Sequence, residues 1–478
     1  MNEQVSPTSP SEQSTPASAQ VTQARSQTPT QSAFRSYIGQ HWADRAPVEV
    51  TLAAGAPYAA ERRAKLSALH RGERLIFPAG GRKVRANDTD YRFRPDSTFT
   101  WLTAWGAHAE PDSLLVLEPR GASHEAVLYF RPAAGRDTEE FYADASIGEF
   151  WTGPRPGLSD IADLLGIRTR RLEEYDGPAG MPDQLAALVF RDASELRLIK
   201  DEWEIAELRE AVHATHRAFN RMLGSLPRAA SHPRGQRVIE GEFDAEARLE
   251  GNGVGYDSIA GGGAHGCILH WTRNDGAVRP GDLLLVDAGV EAESLYTADI
   301  TRTVPVTGAF SPVQREVYEA VLEANEAAFA VARPGTLYKA MHEAAMRVIA
   351  ERTAGWGLLP VSAEESLKPE NQHHRRYMVH GTGHHLGLDV HDGALARDEV
   401  YRDAPLQPGM VFTIEPGLYF QPDDLTVPEE LRGIGIRIED DVVMTESGWV
   451  NLSADIPRTA DAVEAWVQDA VRSSASAP

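Results

Sequence analysis

The sequence predicts a mixed α/β (α+β) chain of two globular domains between terminal tails. Three observations predict it. Short apolar runs bounded by Gly and Pro recur in the first half, and a long amphipathic stretch follows them. Beyond that stretch, strand-like runs are interspersed with two long helical ones.

Residues 1 to about 32 are Ser, Thr, Gln and Pro with almost no large apolar side chains. Such a segment cannot bury enough surface to offset its ordering entropy, which predicts a disordered tail over 1–32. Residues 33–190 follow as an α/β domain. In it "ERLIFPAG", "DSLLVLEP" and "HEAVLYFRP" read as strands, with "ERRAKLSALH" and "LSDIADLLG" as helices. The stretch "SELRLIKDEWEIAELREAVHATHRAFNRML" then predicts one long helix opening a second domain, 191–470. Leu198, Ile205, Leu208 and Val212 recur at helical spacing, and Asp201 and Glu202 supply acid to the first turn. Strands are expected at "DLLLVDAGV", "ADITRTVPV", "MVFTIEPGL" and "GIGIRIEDDVVMT", and helices at "SPVQREVYEAVLEANEAAFAVA" and "LYKAMHEAAMRVIAE". Residues 471–478 are expected to form a short flexible tail.

Composition narrows the function. Lys and Arg total 47 against 70 for Asp and Glu, a formal net charge of −23 in 478 residues. A surface that acidic repels a phosphate backbone and argues against nucleic acid. No apolar run of about 18 residues and no signal-peptide pattern occur, so no membrane partner is expected. The single cysteine, Cys267, precludes an intramolecular disulfide and reads as a small core filler. Together these point to a soluble, cytoplasmic protein.

Four carboxylates stand where strands disfavour them. Asp287 ends the run Leu283-Leu284-Leu285-Val286, and Asp299 interrupts "TADITRTVPV". An acid beside a buried apolar run costs free energy unless it is paired or binds a metal. The two stretches make a hairpin that could set Asp287 beside Asp299, where two anions need a proton or a cation between them. Glu415 follows an apolar strand in "VFTIEPGLY". Glu439 lies in "GIGIRIEDD", where Ile434, Ile436 and Ile438 alternate with Gly435, Arg437 and Glu439. Period-2 alternation puts Arg437 on the face of Glu439, where it could orient that carboxylate. Asp440 and Asp441 read as solvated or capping groups.

Histidines complete the set. "VHGTGHHLGLDVHD" carries His380, His384, His385 and His391, four of the chain's 16, among glycines. His270 in "ILHWTRND" is a fifth candidate, whereas His373 and His374 sit in a polar stretch and read as ordinary surface or core groups. Four carboxylates and imidazole without thiolate form a hard donor set suited to Mn²⁺, and less selectively to Zn²⁺, Co²⁺ or Fe²⁺. Two divalent ions would balance four carboxylates and could activate water for amide hydrolysis. Any one of these residues alone would read as a cap or a core group; the order D, D, H, E, E is harder to dismiss.

"LLLVDAGVEAESLYTADITRT", "VHGTGHHLGLDVHD", "TIEPGLY" and "GIGIRIEDD" resemble the metal-binding segments of the pita-bread metallopeptidases, and most of all those of aminopeptidase P. The resemblance covers about residues 60–455, with "YRFRPDSTFTWLTAWG" resembling the N-terminal domain of that family. It implies a curved antiparallel sheet with helices outside, in two related halves, behind an N-terminal α/β domain. It implies an exopeptidase that releases the N-terminal residue from peptides with proline second, by a metal-bridging hydroxide. The implied metal ligands are Asp287, Asp299, His384, Glu415 and Glu439, with Glu415 also the general base. His270, His380 and His391 match histidines that contact substrate or the tetrahedral intermediate, and Tyr419 and Arg437 match groups that support the ligands. Relatives form dimers or tetramers, so a homo-oligomer is expected.

The family's aspartates are usually eleven steps apart; here they are twelve, which implies an enlarged hairpin loop or a bulge. The nearest rival is a prolidase cutting Xaa-Pro dipeptides. A methionine aminopeptidase is disfavoured by the N-terminal domain, and a metal-free creatinase-like relative or binding module by the presence of all five ligands.

Overall fold

The computed structural model describes residues 28–43, 49–87 and 89–475. The expected disordered tail falls mainly on 1–27, outside the described residues. Its last position, Ser32, opens a helix, α1 (Ser32–Ile38), whose Phe34 meets Tyr142 edge-on at 5.3 Å between ring centroids.

The N-terminal domain is a four-stranded sheet with helices packed on it. In chain order come α2 (Ala56–Leu69), β1 (Leu75–Pro78), α3 (Ser97–Thr103), β2 (Leu114–Arg120) and β3 (Ser123–Phe130). After these come α4 (Leu158–Leu165), β4 (Arg168–Arg171) and α5 (Asp183–Arg197). The strand order is β1-β2-β3-β4, antiparallel except for the parallel β3/β4 pair. A parallel neighbour needs a crossover, and α4 lies in that connection.

The long helix expected from "SELRLIKDEWEIAELR" is two helices. α5 stops at Arg197, and α6 (Glu202–Gly224) starts afresh on Asp201. Asp201 caps it: its carboxylate accepts from the Glu204 amide at 3.0 Å, and the Glu204 carboxylate accepts from the Asp201 amide at 2.9 Å. Between the helices the Lys200 amide donates to the Gly409 carbonyl at 2.8 Å, and Ile199 bridges to Met410. Tertiary pairing of this short link overrides the helical periodicity around it.

The C-terminal domain continues with α7 (Gly235–Glu250), β5 (Ile259–Gly262), β6 (Leu283–Ala288), β7 (Ile300–Pro305), α8 (Pro312–Val331) and α9 (Lys339–Gly355). Then come β8 (Val411–Ile414), β9 (Gly417–Tyr419), β10 (Gly435–Arg437), β11 (Asp440–Thr445), β12 (Gly448–Asn451) and α10 (Ala460–Ala475). These strands pair antiparallel throughout, in the orders β7-β6-β5, β8-β11-β12 and β9-β10. The expected sheet is therefore delivered as short antiparallel pieces, these three and a two-stranded pair of Gly253–Val254 with Val290–Glu291, with α6 packed on α7 and α8 on α9. α10 runs to Ala475, so most of the expected C-terminal tail is helical. Buried Val463, Trp466 and Val467 anchor it, and partly buried Ala470 and Val471 carry the packing on.

Two cores matter for the site. One is internal to the C-terminal domain and includes Leu284, Val286, Phe412, Ile414, Ile436 and Ile438. The other joins the domains: Phe99, Trp101 and Leu102 pack in one cluster with Leu295, Tyr296, Leu386 and Leu388. The N-terminal domain thus rests directly on the segments that present the candidate ligands.

Candidate metal centre

β6 is the central strand of its sheet, and Asp287 on it faces Thr301 on β7 and Ile259 on β5. The ladder keeps one register from Leu283↔Pro305 to the bridge Glu291↔Thr297. It then turns through Leu295 at φ +73°. The additional residue between the aspartates therefore enlarges the turn and makes no bulge in the ladder. Asp287 and Asp299 do lie together: the Tyr256 hydroxyl is 2.7 Å from Asp287 Oδ1 and 2.5 Å from Asp299 Oδ1. One hydroxyl proton cannot serve two carboxylates at once. Burial and the surrounding Asp287, Asp299 and Glu439 push the Tyr256 phenol well above its ordinary range, so it stays a donor.

The histidine segment lies along β8. Thr413 N–H donates to the His384 carbonyl at 2.9 Å, and Glu415 N–H to the Thr382 carbonyl at 2.8 Å. This contact brings backbone so close that a Cβ on Gly383 would collide with the Thr413 carbonyl. His384 Nδ1 is 3.2 Å from the His385 carbonyl. Its Nε2 faces Asp299 Oδ2 at 3.2 Å and Glu415 Oε1 at 3.7 Å. Burial alone would lower this imidazole, but the Asp299 hydrogen bond and the Glu415 charge raise it to about 9. Asp299, His384 and Glu439 offer donor atoms that all lie within 4.8 Å of one another.

Glu439 accepts from the Thr301 hydroxyl at 2.6 Å and is 1% exposed. Burial, then Asp299, Glu415 and Asp287, push it well above the carboxylate range. Glu415 is raised to about 7 by burial, with Asp299 and Asp287 adding and His384 and Arg437 opposing. Burial likewise raises Asp287, against the pull of Arg437. A cluster that raises its own carboxylates in this way, with imidazole beside it and no thiolate, is chemically matched to hard divalent cations.

Arg437 shares the face of Glu439 as alternation predicts, but its partner differs. Its guanidinium pairs with Asp287, donates to Tyr419 Oη at 3.0 Å, and donates through Nε to Thr301 Oγ1 at 3.0 Å. It supports Asp287 directly and Glu439 only through Thr301. Tyr419 Oη also meets His380 Nε2 at 2.8 Å, so His380, Tyr419, Arg437 and Asp287 form one polar chain. Burial, then Arg437, lowers His380 to about 3, which leaves it neutral. The His391 ring stands perpendicular to His384 at 4.3 Å and is lowered by burial and by His384. His270, His380, His384 and His391 line one cavity of about 610 Å³ with the four carboxylates, Tyr256 and Tyr401.

Asp440 and Asp441 are neither solvated nor capping; both are fully buried. Asp440 pairs with buried Arg302 at 2.7 Å, and Asp441 Oδ2 accepts the Asp299 amide at 3.1 Å. Their partners come from β7 and the residue before it, about 140 positions upstream, where local sequence carries no sign of them. Tyr256 and Thr301 also escaped the sequence reading, since a Tyr or Thr in or beside a strand reads as packing. His385 turns away from the cavity, stacked on Tyr338 at 4.9 Å. His374 is buried against Ser366 Oγ at 2.9 Å, and Cys267 is buried with its thiol raised to about 12.

Known proteins share this arrangement at the level of domains. Residues 206–446 match the model of metallopeptidase family M24, and residues 58–177 match the aminopeptidase P N-terminal domain. A Xaa-Pro aminopeptidase 2 of Streptomyces coelicolor is 50% identical over 449 residues, covering 89% of this chain and 94% of that protein. The chain belongs to the aminopeptidase P branch of metallopeptidase family M24. The Xaa-Pro aminopeptidase of Escherichia coli is 33% identical, over 84% of this chain and 96% of its own length. Among solved structures, aminopeptidase PepP of Pseudomonas aeruginosa superposes with a TM-score of 0.76 at 31% identity, covering 88% and 99% of the two chains. A zinc-substituted Escherichia coli aminopeptidase P in complex with product superposes at 0.74, with 31% identity and coverage of 87% and 99%. The expected fold and family therefore stand, and the chain is a metallo-aminopeptidase that uses divalent metal. No helix among the described residues is long and apolar enough to cross a membrane.

Proposed function

We propose that this aminopeptidase releases the N-terminal residue from peptides with proline in second position. Two divalent cations, Mn²⁺ foremost, would be held by Asp287, Asp299, His384, Glu415 and Glu439. The observation that carries this reading is the donor cluster, in a chain half identical to a protein named a Xaa-Pro aminopeptidase. Bound cations would supply Lewis acidity, activating water and polarising the scissile carbonyl.

The chain's own groups supply the rest. Glu415, on the cavity wall beside His384, would take the proton of the attacking water and return it to the proline nitrogen as the amide bond breaks. His391 and His270 face the cavity and would stabilise charge developing on the carbonyl oxygen. Neutral His380, hydrogen-bonded to Tyr419 and lining the cavity, would contact the substrate. Arg437 keeps Asp287 in place as a ligand.

A peptide panel with added Mn²⁺ tests the reading. Xaa-Pro-Xaa should lose its first residue, and matched peptides with alanine second should not. Cleavage confined to Xaa-Pro dipeptides would make the enzyme a prolidase. A Glu415→Ala enzyme with intact metal content and full turnover would overturn the proton-transfer role. The homo-oligomer expected of this family is tested by sedimentation of the full chain.

A further inference from the structure

The N-terminal domain touches both arms of the metal cluster through one side chain. Arg94 lies just before α3. Its Nε donates to Glu291 Oε2 at 2.6 Å, its Nη2 to the Leu388 carbonyl at 2.6 Å, and its Nη1 to Ser97 Oγ at 3.1 Å. Ser97 Oγ in turn donates to Asp389 Oδ1 at 2.5 Å. Glu291 lies in the hairpin between Asp287 and Asp299, is 4% exposed, and is also held by Asn252 Nδ2 at 2.7 Å. Leu388 and Asp389 lie in the segment between His384 and His391. From its other side that segment is held by the last residue of α5 and by the link that follows it. Arg197 donates to Asp389 Oδ2 at 2.6 Å and pairs with Asp392, and Lys200 Nζ donates to Asp392 Oδ2 at 2.8 Å.

We propose that Arg94 is a positioning residue of the active site: it fixes the hairpin carrying Asp287 and Asp299 relative to the segment carrying His384 and His391. The assignment rests on reading those residues as the catalytic cluster. A guanidinium is a rigid planar fork, so one Arg can hold two acceptors in a set relation, where a Lys ammonium is a point charge on a flexible stem. The body behind Arg94 is firm, because α3 shares a buried core with Leu295, Tyr296, Leu386 and Leu388. The two segments also meet directly, Thr297 N–H donating to the Gly387 carbonyl at 3.0 Å, and Arg94, from outside the cavity, braces that contact from the flanks. Displacements of about 1 Å between reacting groups cost up to about a hundred-fold in rate.

Arg94→Met removes the fork and keeps the length, and Arg94→Lys keeps the charge. The full-length Mn²⁺-loaded enzyme is assayed on a Xaa-Pro-Xaa tripeptide, and amide hydrogen exchange is followed over 290–298 and 386–392. Arg94→Met should lower kcat on the order of ten- to a hundred-fold with KM within about two-fold. Exchange should quicken in both segments together. Arg94→Lys should slow exchange again in one segment only and recover part of kcat. Unchanged exchange in both segments, or a fall in Tm with kcat intact, would overturn the proposal. If the wild-type protein does not cleave Xaa-Pro-Xaa, the functional reading falls, while the exchange data still decide whether Arg94 couples the two segments. Should Arg94→Met not fold, Ser97→Ala offers the same test at Asp389, with quickened exchange expected over 386–392 alone.

Discussion

The backbone amide of Asp299 donates to the side chain of Asp441 at 3.1 Å, and both residues are buried. Asp441 Oδ1 has no hydrogen-bond partner among the described residues, and burial, then Asp299, pushes the carboxyl well above its ordinary range. Its task is that of a neutral acceptor. Asp441→Asn keeps an acceptor and should change stability by less than about 1 kcal/mol. Asp441→Ala leaves the Asp299 amide unsatisfied in the interior and should cost about 1–3 kcal/mol. Removing a partner that orients a ligand should also weaken Mn²⁺ binding by about ten- to a hundred-fold. Urea unfolding and metal titration of both variants check this; equal losses for Asn and Ala would show that charge is what matters.

The metal-free protein should lose stability as pH rises above neutrality. Burial raises Glu415 from 4.5 to about 7, so folding takes up a proton between those values and the gain disappears above them. Through its Asp299 hydrogen bond and Glu415, which overcome burial, His384 rises from 6.5 to about 9. Its contribution is complete below 6.5 and is lost as pH climbs through 9. The two slopes share a sign, and together amount to a few kcal/mol. Buried His342, His380 and His385 are held low, to about 4, 3 and 3, and act with the opposite sign up to about pH 6.5. The loss therefore shows above that range: thermal melts of chelator-treated protein should give a lower Tm at pH 9 than at pH 7.5. Mn²⁺ binds the deprotonated ligands, so its stabilisation should be larger at the higher pH. A metal-free Tm that climbs over this range would contradict the assignment.

The four acids were legible because an Asp or Glu in or directly beside an apolar strand violates the local pattern, and such a violation marks a site. Arg437 was legible for the same reason, through period-2 alternation. What stayed hidden depends on contacts distant in sequence. Asp440 and Asp441 look like a solvated pair until Arg302 and the Asp299 amide arrive from the other half of the domain. The break between α5 and α6 had a local sign, the Asp201 and Glu204 capping box, but the periodicity of Leu198 and Ile205 masked it. Pairing of the link with Gly409 and Met410 decides that break, and no local window contains it.

Arg437 is 3% exposed and binds Asp287, Tyr419 and Thr301 together. Arg437→Met removes the cation from a buried pair and should cost about 3–5 kcal/mol in the metal-free state, since Asp287 is left uncompensated. Arg437→Lys keeps the charge but cannot form three directed bonds from a planar fork. It should fold nearly as stably yet lose activity on the order of ten-fold, because Asp287 and Thr301 are no longer held together. Unfolding free energy and kcat measured side by side separate the two effects. A Lys variant with wild-type kcat would reduce Arg437 to a counter-charge.

Gly383 is the point where the histidine segment presses on β8. A methyl group there meets the Thr413 carbonyl, which cannot retreat because β8 is paired with β11 on its other edge. The segment must therefore move outward in Gly383→Ala, stretching the bonds from Thr413 N–H to His384 and from Glu415 N–H to Thr382. Overpacking of this kind costs about 1–3 kcal/mol, which a protein of ordinary stability survives. The larger effect should fall on function, since His384 is displaced relative to Asp299, Glu415 and Glu439. Mn²⁺ affinity should drop by roughly ten-fold or more while the fold, by circular dichroism, is retained. Gly383→Ala with wild-type metal affinity would mean that the segment tolerates displacement, and that the close approach at Gly383 serves packing alone.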